Sequence, residues 1–304
     1  MIKFLKRIRT FFNAPVIEAI IPSSDTNLNE NLQQTQIILM NQYRQMLHSG
    51  AKLPSFDEVG FSVYSDADED GILHFIFSIV GTLNKKLVDI GAATISGSNT
   101  ANLLINNGWT GLLIEGNEDS YNATKEFYSS CQSTSIYPPK ILHQWVTAEN
   151  INALIKDGGF DGDIDLLCID IDGIDYWAWK AIDCIRPRVV LVEYQCIWGP
   201  EVSVTVPYNS DFKAEYSGRY GIYNSASLSA FVKLAEDKGY RLVGSHRYGF
   251  NAFFIRNDIG QDILPEINPN ECFRHPFTDW ANETFLSKIK DFDWVEVSRN
   301  QGKS

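Results

Sequence analysis

The segment Leu87-Val-Asp-Ile-Gly-Ala-Ala-Thr-Ile-Ser-Gly-Ser-Asn-Thr100 is the most informative part of the sequence about its architecture. A short apolar run ends there in an acid, and glycine and small residues follow before a helix begins. Gly91 permits a positive φ angle and lets a ligand approach the backbone, while Ser96 or Ser98 can cap a helix that runs to about Asn107. The free N–H groups at such a helix start suit a carboxylate or a phosphate. The pattern therefore predicts a strand, a cofactor-binding loop and a helix.

The residues around Gly91 distinguish between cofactors. A dinucleotide-binding loop carries Gly-x-Gly-x-x-Gly, whose second glycine makes room for a pyrophosphate, and this chain has Ala93 at that position. Asp89 can meet a cationic amino group but would repel a pyrophosphate, which favours S-adenosylmethionine over NAD. Glu115 ends the next apolar run, where a doubly wound fold places the acid that holds a ribose diol. The alternative is an ordinary tight turn between a strand and a helix.

Composition limits the classes of protein that this chain can be. Its 304 residues allow one large or two small domains, and a hydrophobic content of 44% is ample for a buried core. The net charge of −12 opposes binding to a phosphate backbone, so we expect no nucleic-acid partner. Five cysteines without a Cys-x-x-Cys pair indicate reduced thiols in a cytoplasm. No apolar run reaches the roughly 18 residues that span a bilayer.

The first 60 residues form a predicted N-terminal helical extension and linker. Met1 to Phe12 has the spacing of a basic amphipathic helix, which can make peripheral contact with the inner face of an anionic membrane or pack on protein. Pro22 to Gln34 has the composition of a linker. A helix is predicted from about Thr35 to His48, with Gly50 beyond its end.

The rest of the chain alternates between strands and helices. A helix is predicted to end near Val80, and apolar runs at 87–90, 109–115, 140–146, 165–169 and 189–194 predict five strands separated by helices. Two further strands, 241–245 and 252–255, form a hairpin. We therefore predict an α/β fold with a doubly wound, mostly parallel seven-stranded sheet, a C-terminal antiparallel hairpin and helices on both faces. The α/β domain spans 61–260 with an inserted, tyrosine-rich lid at 195–224, and 261–304 is a C-terminal extension.

Four segments together resemble the FkbM-like family of S-adenosylmethionine-dependent methyltransferases, a branch of the class I Rossmann-like methyltransferases. They are Tyr64-Ser-Asp-Ala-Asp-Glu-Asp-Gly-Ile-Leu73, Val88-Asp-Ile-Gly-Ala92, Gly111-Leu-Leu-Ile-Glu-Gly-Asn117 and Ile169-Asp-Ile-Asp-Gly173. The chain departs from the family pattern at Ser65-Asp66, where the family usually has Ser-Gln. Asp172-Gly173 takes the place of the acid-glycine pair after the fourth strand, and it keeps the carboxylate.

The resemblance implies roles for several of these residues. Asp89, Gly91 and Ala92 would hold the methionine end of S-adenosylmethionine, and Glu115 would hold the ribose. Asp170 would lie in the loop beside the methyl group. The remaining predicted cofactor-binding residues are Asn117 and Thr147 near the adenosine and Ser96, Asn99 and Thr100 in the first loop. The family methylates hydroxyl groups, so the resemblance implies O-methylation of a sugar, a glycan or another small molecule.

Methyl transfer to an alcohol requires alignment of the acceptor oxygen and removal of its proton. Asp170, Asp172 and Asp175 follow the fourth strand and Glu193 ends the fifth, and the carboxyl ends of parallel strands meet at one edge. We predict that Asp172 and Glu193 are catalytic. Asp170, Asp172 and Glu193 are also candidate ligands for Mg²⁺, which would lower the pKa of the acceptor hydroxyl. Asp175 is better explained as an acid at a helix start.

Two other functions remain open from the sequence. Asp170-x-Asp172 is also similar to the Asp-x-Asp that holds a metal and a nucleotide sugar in many glycosyltransferases. The second alternative is a catalytically idle nucleoside-binding domain, because a fold supports binding without turnover. The pair Asp89 and Glu115 favours the methyltransferase. The sequence does not indicate an oligomeric state.

Overall fold

The computed structural model describes residues 26–299 except residue 93. The predicted amphipathic helix at Met1 to Phe12 lies outside the described residues. No helix within the described part of the chain is long and apolar enough to cross a membrane.

A seven-stranded sheet forms the centre of the protein, in the order β3-β2-β1-β4-β5-β10-β9. Strand β10 pairs antiparallel with both β5 and β9, whereas the other neighbouring strands pair in parallel. The predicted mostly parallel sheet with a terminal antiparallel hairpin is therefore confirmed. The strands are β1 Lys86–Ile90, β2 Thr110–Glu115, β3 Lys140–His143, β4 Gly162–Ile169, β5 Ile185–Glu193, β9 Tyr240–Ser245 and β10 Asn251–Arg256.

The sheet is buried on both faces because its strands are apolar at consecutive positions. In β1, Val88 and Ile90 pack into one hydrophobic cluster while Leu87 packs into another on the opposite face. In β4, Leu167 and Leu166 divide between the same two clusters. This burial on both sides is typical of parallel sheets covered by helices. It confirms the predicted two-sided arrangement.

Nine described helices cover the sheet or extend from it, and their ends follow local capping chemistry. The Ser227 hydroxyl accepts a hydrogen bond from the Ala230 N–H, and Gly239 ends the same helix with a φ angle of +81°. The helices are α1 Thr26–Ser49, α2 Phe56–Val59, α3 Glu69–Val80, α4 Ala101–Asn106, α5 Glu118–Ser130, α6 Ile151–Asp157, α7 Asp175–Ala181, α8 Leu228–Lys238 and α9 Pro276–Ile289.

Two helix predictions need correction. Helix α1 begins at Thr26, so the second half of the predicted linker at Pro22 to Gln34 is helical. It packs on the protein through Tyr43, whose ring lies 4.9 Å from that of Phe75, and such tertiary contacts override a polar composition. Helix α4 starts at Ala101 and has only six residues, because the preceding serines and asparagine form an irregular loop.

The segment after β5 has its own small elements rather than a plain loop. Two short strands, β7 Glu215–Ser217 and β8 Tyr220–Tyr223, form an antiparallel pair. Strand β6 Val204–Thr205 pairs with β11 Val295–Glu296, which ties the segment to the C-terminal residues. A 3-10 turn, Cys196–Trp198, follows β5 and another, Pro269–Cys272, precedes α9.

Candidate functional site

Two adjoining cavities lie at the carboxyl ends of β1, β2, β4 and β5. The larger has a volume of about 610 Å³ and the smaller about 130 Å³. Four residues line both cavities: Gly97, Asn99, Asp170 and Asp172. This is the edge at which doubly wound sheets bind ligands, and the predicted acids after β4 form the boundary between the cavities.

Gly91 is required where the loop after β1 meets the loop after β4. Its φ angle is +86°, and a Cβ atom at this position would lie 1.9 Å from the carbonyl oxygen of Asp170. The Gly91 N–H donates a 2.9 Å hydrogen bond to the Ile114 carbonyl at the end of β2. Gly91 therefore lets three strand ends approach one another. Gly91 and Ala92, both predicted to bind the cofactor, line the larger cavity.

Asp89 lies at the bottom of the larger cavity. It is 3% exposed, and its Oδ2 accepts a 2.6 Å hydrogen bond from the Thr100 hydroxyl. Burial raises the pKa of Asp89 to about 7, against the opposing effect of the Thr100 hydrogen bond. Thr100 itself does not line the cavity, so it acts by holding the Asp89 carboxyl group. A cation beside Asp89 would stabilise its ionised form.

Glu115 ends β2 and also lines the larger cavity. It is 7% exposed, and its Oε1 accepts a 2.6 Å hydrogen bond from the Asn117 N–H. The Asn117 side chain caps α5 by accepting from the Ser120 N–H at 3.0 Å and does not line the cavity. The sequence predicts Asn117 near the adenosine, and in the structure it positions Glu115 and caps α5.

The segment after β3 also lines the larger cavity and includes residues that were not predicted from the sequence. Gln144 and Trp145 line it together with the predicted Thr147, whose hydroxyl accepts from the Asn150 N–H at 3.2 Å. The Trp145 side chain is 65% exposed and packs over Gly116, where a Cβ would lie 2.4 Å from the Trp145 Cδ2 atom. A tryptophan directly after a strand end is a signal that could have identified this wall.

The boundary between the cavities consists of polar side chains. Asn99 Nδ2 donates a 3.4 Å hydrogen bond to Asp170 Oδ2. Asp172 has a φ angle of +52°, a left-handed conformation that Asp tolerates better than most residues. Ser96 lines neither cavity, and the neighbouring Ser98 instead provides the hydroxyl that accepts from the Ala101 N–H at 3.1 Å.

Glu193 ends β5 and lines only the smaller cavity. Its Oε2 is buried and has no hydrogen-bond partner. Burial raises the pKa of Glu193 well above its usual value, and the charges of Asp170 and Asp172 raise it further. A carboxyl group in this state holds a proton tightly and, once ionised, is a strong proton acceptor.

The described residues do not support the predicted magnesium site. Among residues 26–299, residue 93 apart, no group of three or more His, Cys, Asp or Glu side chains is arranged to hold a metal ion. Asp170 accepts a hydrogen bond from Asn99, and it lines the smaller cavity together with Asp172 and Glu193. Asp170, Asp172 and Glu193 are thus neighbours without forming a shared set of ligands.

Two other acids, one just after the fourth quoted segment and one within the first, hold backbone segments in place. The buried Asp175 carboxylate accepts from the N–H groups of Ile171 and Gly173, at 2.8 and 3.0 Å. Asp70 accepts from three consecutive N–H groups, at 2.6 to 2.9 Å, which belong to Val63, Tyr64 and Ser65. Burial raises the pKa of Asp175 to about 7 and that of Asp70 to about 6. In the segment 64–73 before β1, the Asp70 carboxyl group therefore has a structural role, which is to fix the backbone of residues 63–65.

The smaller cavity is closed by aromatic residues from distant parts of the chain. The predicted lid at 195–224 contributes Tyr216 and Tyr220, and α9 contributes Phe277 and Phe285. Phe250, just before β10, completes this side. The lid also reaches the larger cavity through residues 209–213. The sequence indicates no chemical role for the C-terminal extension, but α9 forms part of this wall.

No family model matches this sequence, and no curated protein matches it. Solved structures that resemble the fold include magnesium protoporphyrin IX methyltransferase from Synechocystis with bound S-adenosylmethionine, at 12% identity and a TM-score of 0.36. That match covers 83% of this chain and 90% of the other. The N-terminal domain of EvdMO1, in the presence of S-adenosylhomocysteine and D-fucose, matches at 12% identity and a TM-score of 0.40, covering 72% and 94%. The methyltransferase domain of bacterial CtHen1-C matches at 14% identity and a TM-score of 0.40, covering 62% and 96%. At these scores the fold class rests on the strand order of this chain.

Proposed function

We propose that this protein is an S-adenosylmethionine-dependent methyltransferase that methylates a hydroxyl group of a sugar, a glycan or another small molecule. The observation that carries the proposal is the pair of adjoining cavities, which share Asn99, Asp170 and Asp172 as a common wall. One cavity is large enough for a nucleoside cofactor and the other for the reacting end of an acceptor. FkbM-like membership is part of the same proposal.

The residues of the larger cavity fit the chemistry of S-adenosylmethionine. Its volume of about 610 Å³ is within the range of small-molecule sites, about 300 to 1,000 Å³. Asp89 offers a buried carboxyl group to a cationic amino group, and Glu115 offers carboxylate oxygens to a ribose diol. Trp145 adds an apolar ring on the β3 side. When bound, S-adenosylmethionine supplies an electrophilic methyl group on a positively charged sulfur.

The residues of the smaller cavity would orient the acceptor hydroxyl and accept its proton. Glu193 has an unpartnered, buried carboxyl oxygen and is the strongest candidate to accept the hydroxyl proton. Asp172 lines both cavities and would orient the acceptor oxygen at the boundary. Asn99 and Asp170 would keep the boundary rigid through their hydrogen bond. This division makes Glu193 catalytic and Asp172 catalytic or orienting.

The two alternatives receive less support. A glycosyltransferase that uses Asp170-x-Asp172 needs a metal to hold a diphosphate, and the described residues contain no arrangement that could hold one. A nucleoside-binding domain without turnover would not need an unpartnered carboxyl oxygen such as that of Glu193 beside the boundary. Within the chain, we assign the methyltransferase domain to 61–260, with 195–224 as its lid.

Transfer of a labelled methyl group tests the proposal. The full chain is incubated with methyl-labelled S-adenosylmethionine and a panel of monosaccharides, glycosides and amino alcohols, and methyl ethers are detected by mass spectrometry. We expect label on an acceptor oxygen and equimolar S-adenosylhomocysteine. Consumption of a nucleotide sugar instead, or binding of S-adenosylmethionine without transfer to any panel member, would favour one of the alternatives.

A further inference from the structure

Acidic side chains predominate in the smaller cavity. Five acidic residues line it, and Arg219 is the one basic residue among the described residues that do so; the acids are Asp66, Glu69, Asp170, Asp172 and Glu193. Arg219 is exposed, donates a 2.8 Å hydrogen bond to the Tyr220 hydroxyl and lies 5.0 Å from the centre of that ring. The guanidinium is therefore part of the aromatic wall at the solvent side. An anion entering this cavity would meet strong repulsion.

A buried amide adds an independent observation. Asn251 lines the smaller cavity and is 4% exposed, and its Nδ2 donates a 2.9 Å hydrogen bond to Glu69 Oε1. This bond fixes the orientation of the amide, since a carboxylate accepts and an amide oxygen cannot donate. The remaining Asn251 Oδ1 is buried without a hydrogen-bond partner. Leaving a buried acceptor unpaired costs about 1 to 3 kcal/mol, so the site is suited to a donor.

Glu193 Oε2 is a second buried acceptor without a partner in this cavity. Both unpaired atoms are oxygens that can accept hydrogen bonds. A hydroxyl group has one hydrogen to donate, whereas a protonated amine has up to three and also carries the charge that the acids favour. The two unpaired acceptor oxygens and the acidic lining of the smaller cavity therefore both indicate a protonated amine.

The aromatic wall is compatible with a cation. Tyr220 lies 5.5 Å from Phe285 and 6.2 Å from Phe277, between ring centres, and Phe277 lies 6.2 Å from Phe250. All four rings line the smaller cavity. Ring faces attract cations within about 6 Å and also pack on the apolar face of a cyclic acceptor. A cavity lined by acidic residues and aromatic rings is a favourable environment for an ammonium group on a ring.

We propose that the acceptor carries a protonated amine close to the hydroxyl that is methylated, as in an amino sugar or a cyclic amino alcohol. Asn251 and Glu69 bind the ammonium group, and Glu193 faces the neighbouring hydroxyl. The aromatic residues hold the ring. This inference rests on the proposed function, because the larger cavity is assigned to the cofactor.

Matched probes test the charge preference directly. The full chain, loaded with S-adenosylhomocysteine, is titrated at pH 7.5 with trans-2-aminocyclohexanol, trans-cyclohexane-1,2-diol and trans-2-hydroxycyclohexanecarboxylate. Binding is measured by saturation-transfer NMR and calorimetry. We expect the amine to bind at least tenfold more tightly than the diol, and the carboxylate to bind most weakly. The N-acetylated amine, which has lost its charge, should bind no better than the diol.

A variant assigns the preference to the cavity. Glu69→Gln keeps the size of the side chain and removes its charge, so the preference for the amine over the diol should fall below threefold. Glu126→Gln removes an equal charge from the exposed face of α5 and should leave the preference unchanged. If Glu69→Gln does not fold, the wild-type comparison between the amine and its N-acetylated form still decides the question.

Failure of this inference is distinguishable from failure of the proposed function. If S-adenosylhomocysteine binds but the diol or the carboxylate equals the amine, or if no probe binds, the inference is overturned and the cofactor assignment stands. If S-adenosylhomocysteine does not bind, the proposed function fails. The probes are then titrated against the free protein, where a tenfold preference for the amine would still support a cation site.

Discussion

Gly91 and Asp170 are in direct backbone contact, since a Cβ on Gly91 would lie 1.9 Å from the Asp170 carbonyl oxygen. The Asp170 N–H also donates a 2.9 Å hydrogen bond to the Ile90 carbonyl. The loop after β1 lines the larger cavity, and Asp170 lines both cavities. This contact therefore sets the distance between the candidate cofactor and acceptor sites.

Gly91→Ala should disrupt the site by separating these two loops. We expect binding of S-adenosylhomocysteine to weaken at least tenfold and the free energy of unfolding to fall by more than the roughly 1 to 2 kcal/mol of left-handed backbone strain alone. Gly159→Ala is the matched control, because Gly159 has a φ angle of +85° and no atom within 4 Å of a built Cβ. Calorimetry and denaturant unfolding measure both effects. Equal losses of affinity and of stability in the two variants would show that the contact between Gly91 and Asp170 does not support the site.

The affinity for the cofactor should depend on the ionisation of Asp89. Burial raises its pKa to about 7, so the carboxyl group loses its proton as the pH rises from 6 to 8. The ionised form can pair with the cationic amino group, and we therefore expect the affinity for S-adenosylhomocysteine to increase with pH through about 7. Asp89→Asn should weaken binding and flatten the pH dependence.

Asp66→Asn provides the control for this titration. Burial raises the pKa of Asp66 to about 7 as well, but Asp66 lines only the smaller cavity. Its variant should keep the pH dependence of the wild type. Calorimetric titrations at four pH values compare the three proteins, and a steep pH dependence that survives Asp89→Asn would contradict the assignment.

Turnover should require the carboxyl group of Glu193. Glu193→Gln preserves size but cannot accept the proton, so we expect the rate to fall by about 10²- to 10⁴-fold with little change in cofactor affinity. Asp172→Asn should also reduce the rate while keeping its left-handed backbone, which Asn tolerates. Because the pKa of Glu193 is raised, the wild-type rate should increase with pH.

These rates are measured as methyl transfer to the best acceptor from the labelled panel. Glu201→Gln, at an exposed position in the lid, serves as the control and should retain full activity. A Glu193→Gln variant that turns over at the wild-type rate would remove Glu193 from the chemistry.

Asp165 should make a large contribution to stability. Its fully buried carboxylate accepts from the N–H groups of residues 83, 84 and 85 at 2.6 to 3.0 Å and lies 3.2 Å from Arg188 Nε. We expect Asp165→Asn to lower the free energy of unfolding by about 3 kcal/mol or more. Asp163→Asn, on the same strand, breaks partly exposed pairs with Arg186 and Arg256 and should cost about 1 kcal/mol or less. Equal costs in urea unfolding would contradict this account.

The sheet could be predicted from the sequence because its signals are local. Apolar runs such as 165–169 give buried strands, and acids such as Asp89 and Glu115 mark where β1 and β2 end. The convergence of these ends then follows from the parallel topology. This is why most of the predicted cofactor-binding residues line the larger cavity.

The smaller cavity could not be predicted, because it depends on contacts between residues that are far apart in the sequence. Helix α9 reaches the smaller cavity across the fold, so Phe277 and Phe285 had no local signal of function. Ser96 lines neither cavity and the Asn117 side chain caps α5, although both are polar residues in the predicted cofactor-binding segments. Asp175 was expected to be an acid at a helix start, and no pattern in the sequence indicates that its carboxylate accepts from the N–H groups of Ile171 and Gly173.

Calorimetry with three classes of ligand measures whether the larger cavity binds S-adenosylmethionine. The full chain is titrated with S-adenosylhomocysteine, NAD and a uridine diphosphate sugar, with Glu115→Gln as the variant and Glu126→Gln as the exposed control. We predict that S-adenosylhomocysteine alone binds tightly, and that Glu115→Gln weakens it by about 1 to 3 kcal/mol, comparable to one or two buried hydrogen bonds. Tight binding of NAD or the nucleotide sugar without binding of S-adenosylhomocysteine would contradict the account.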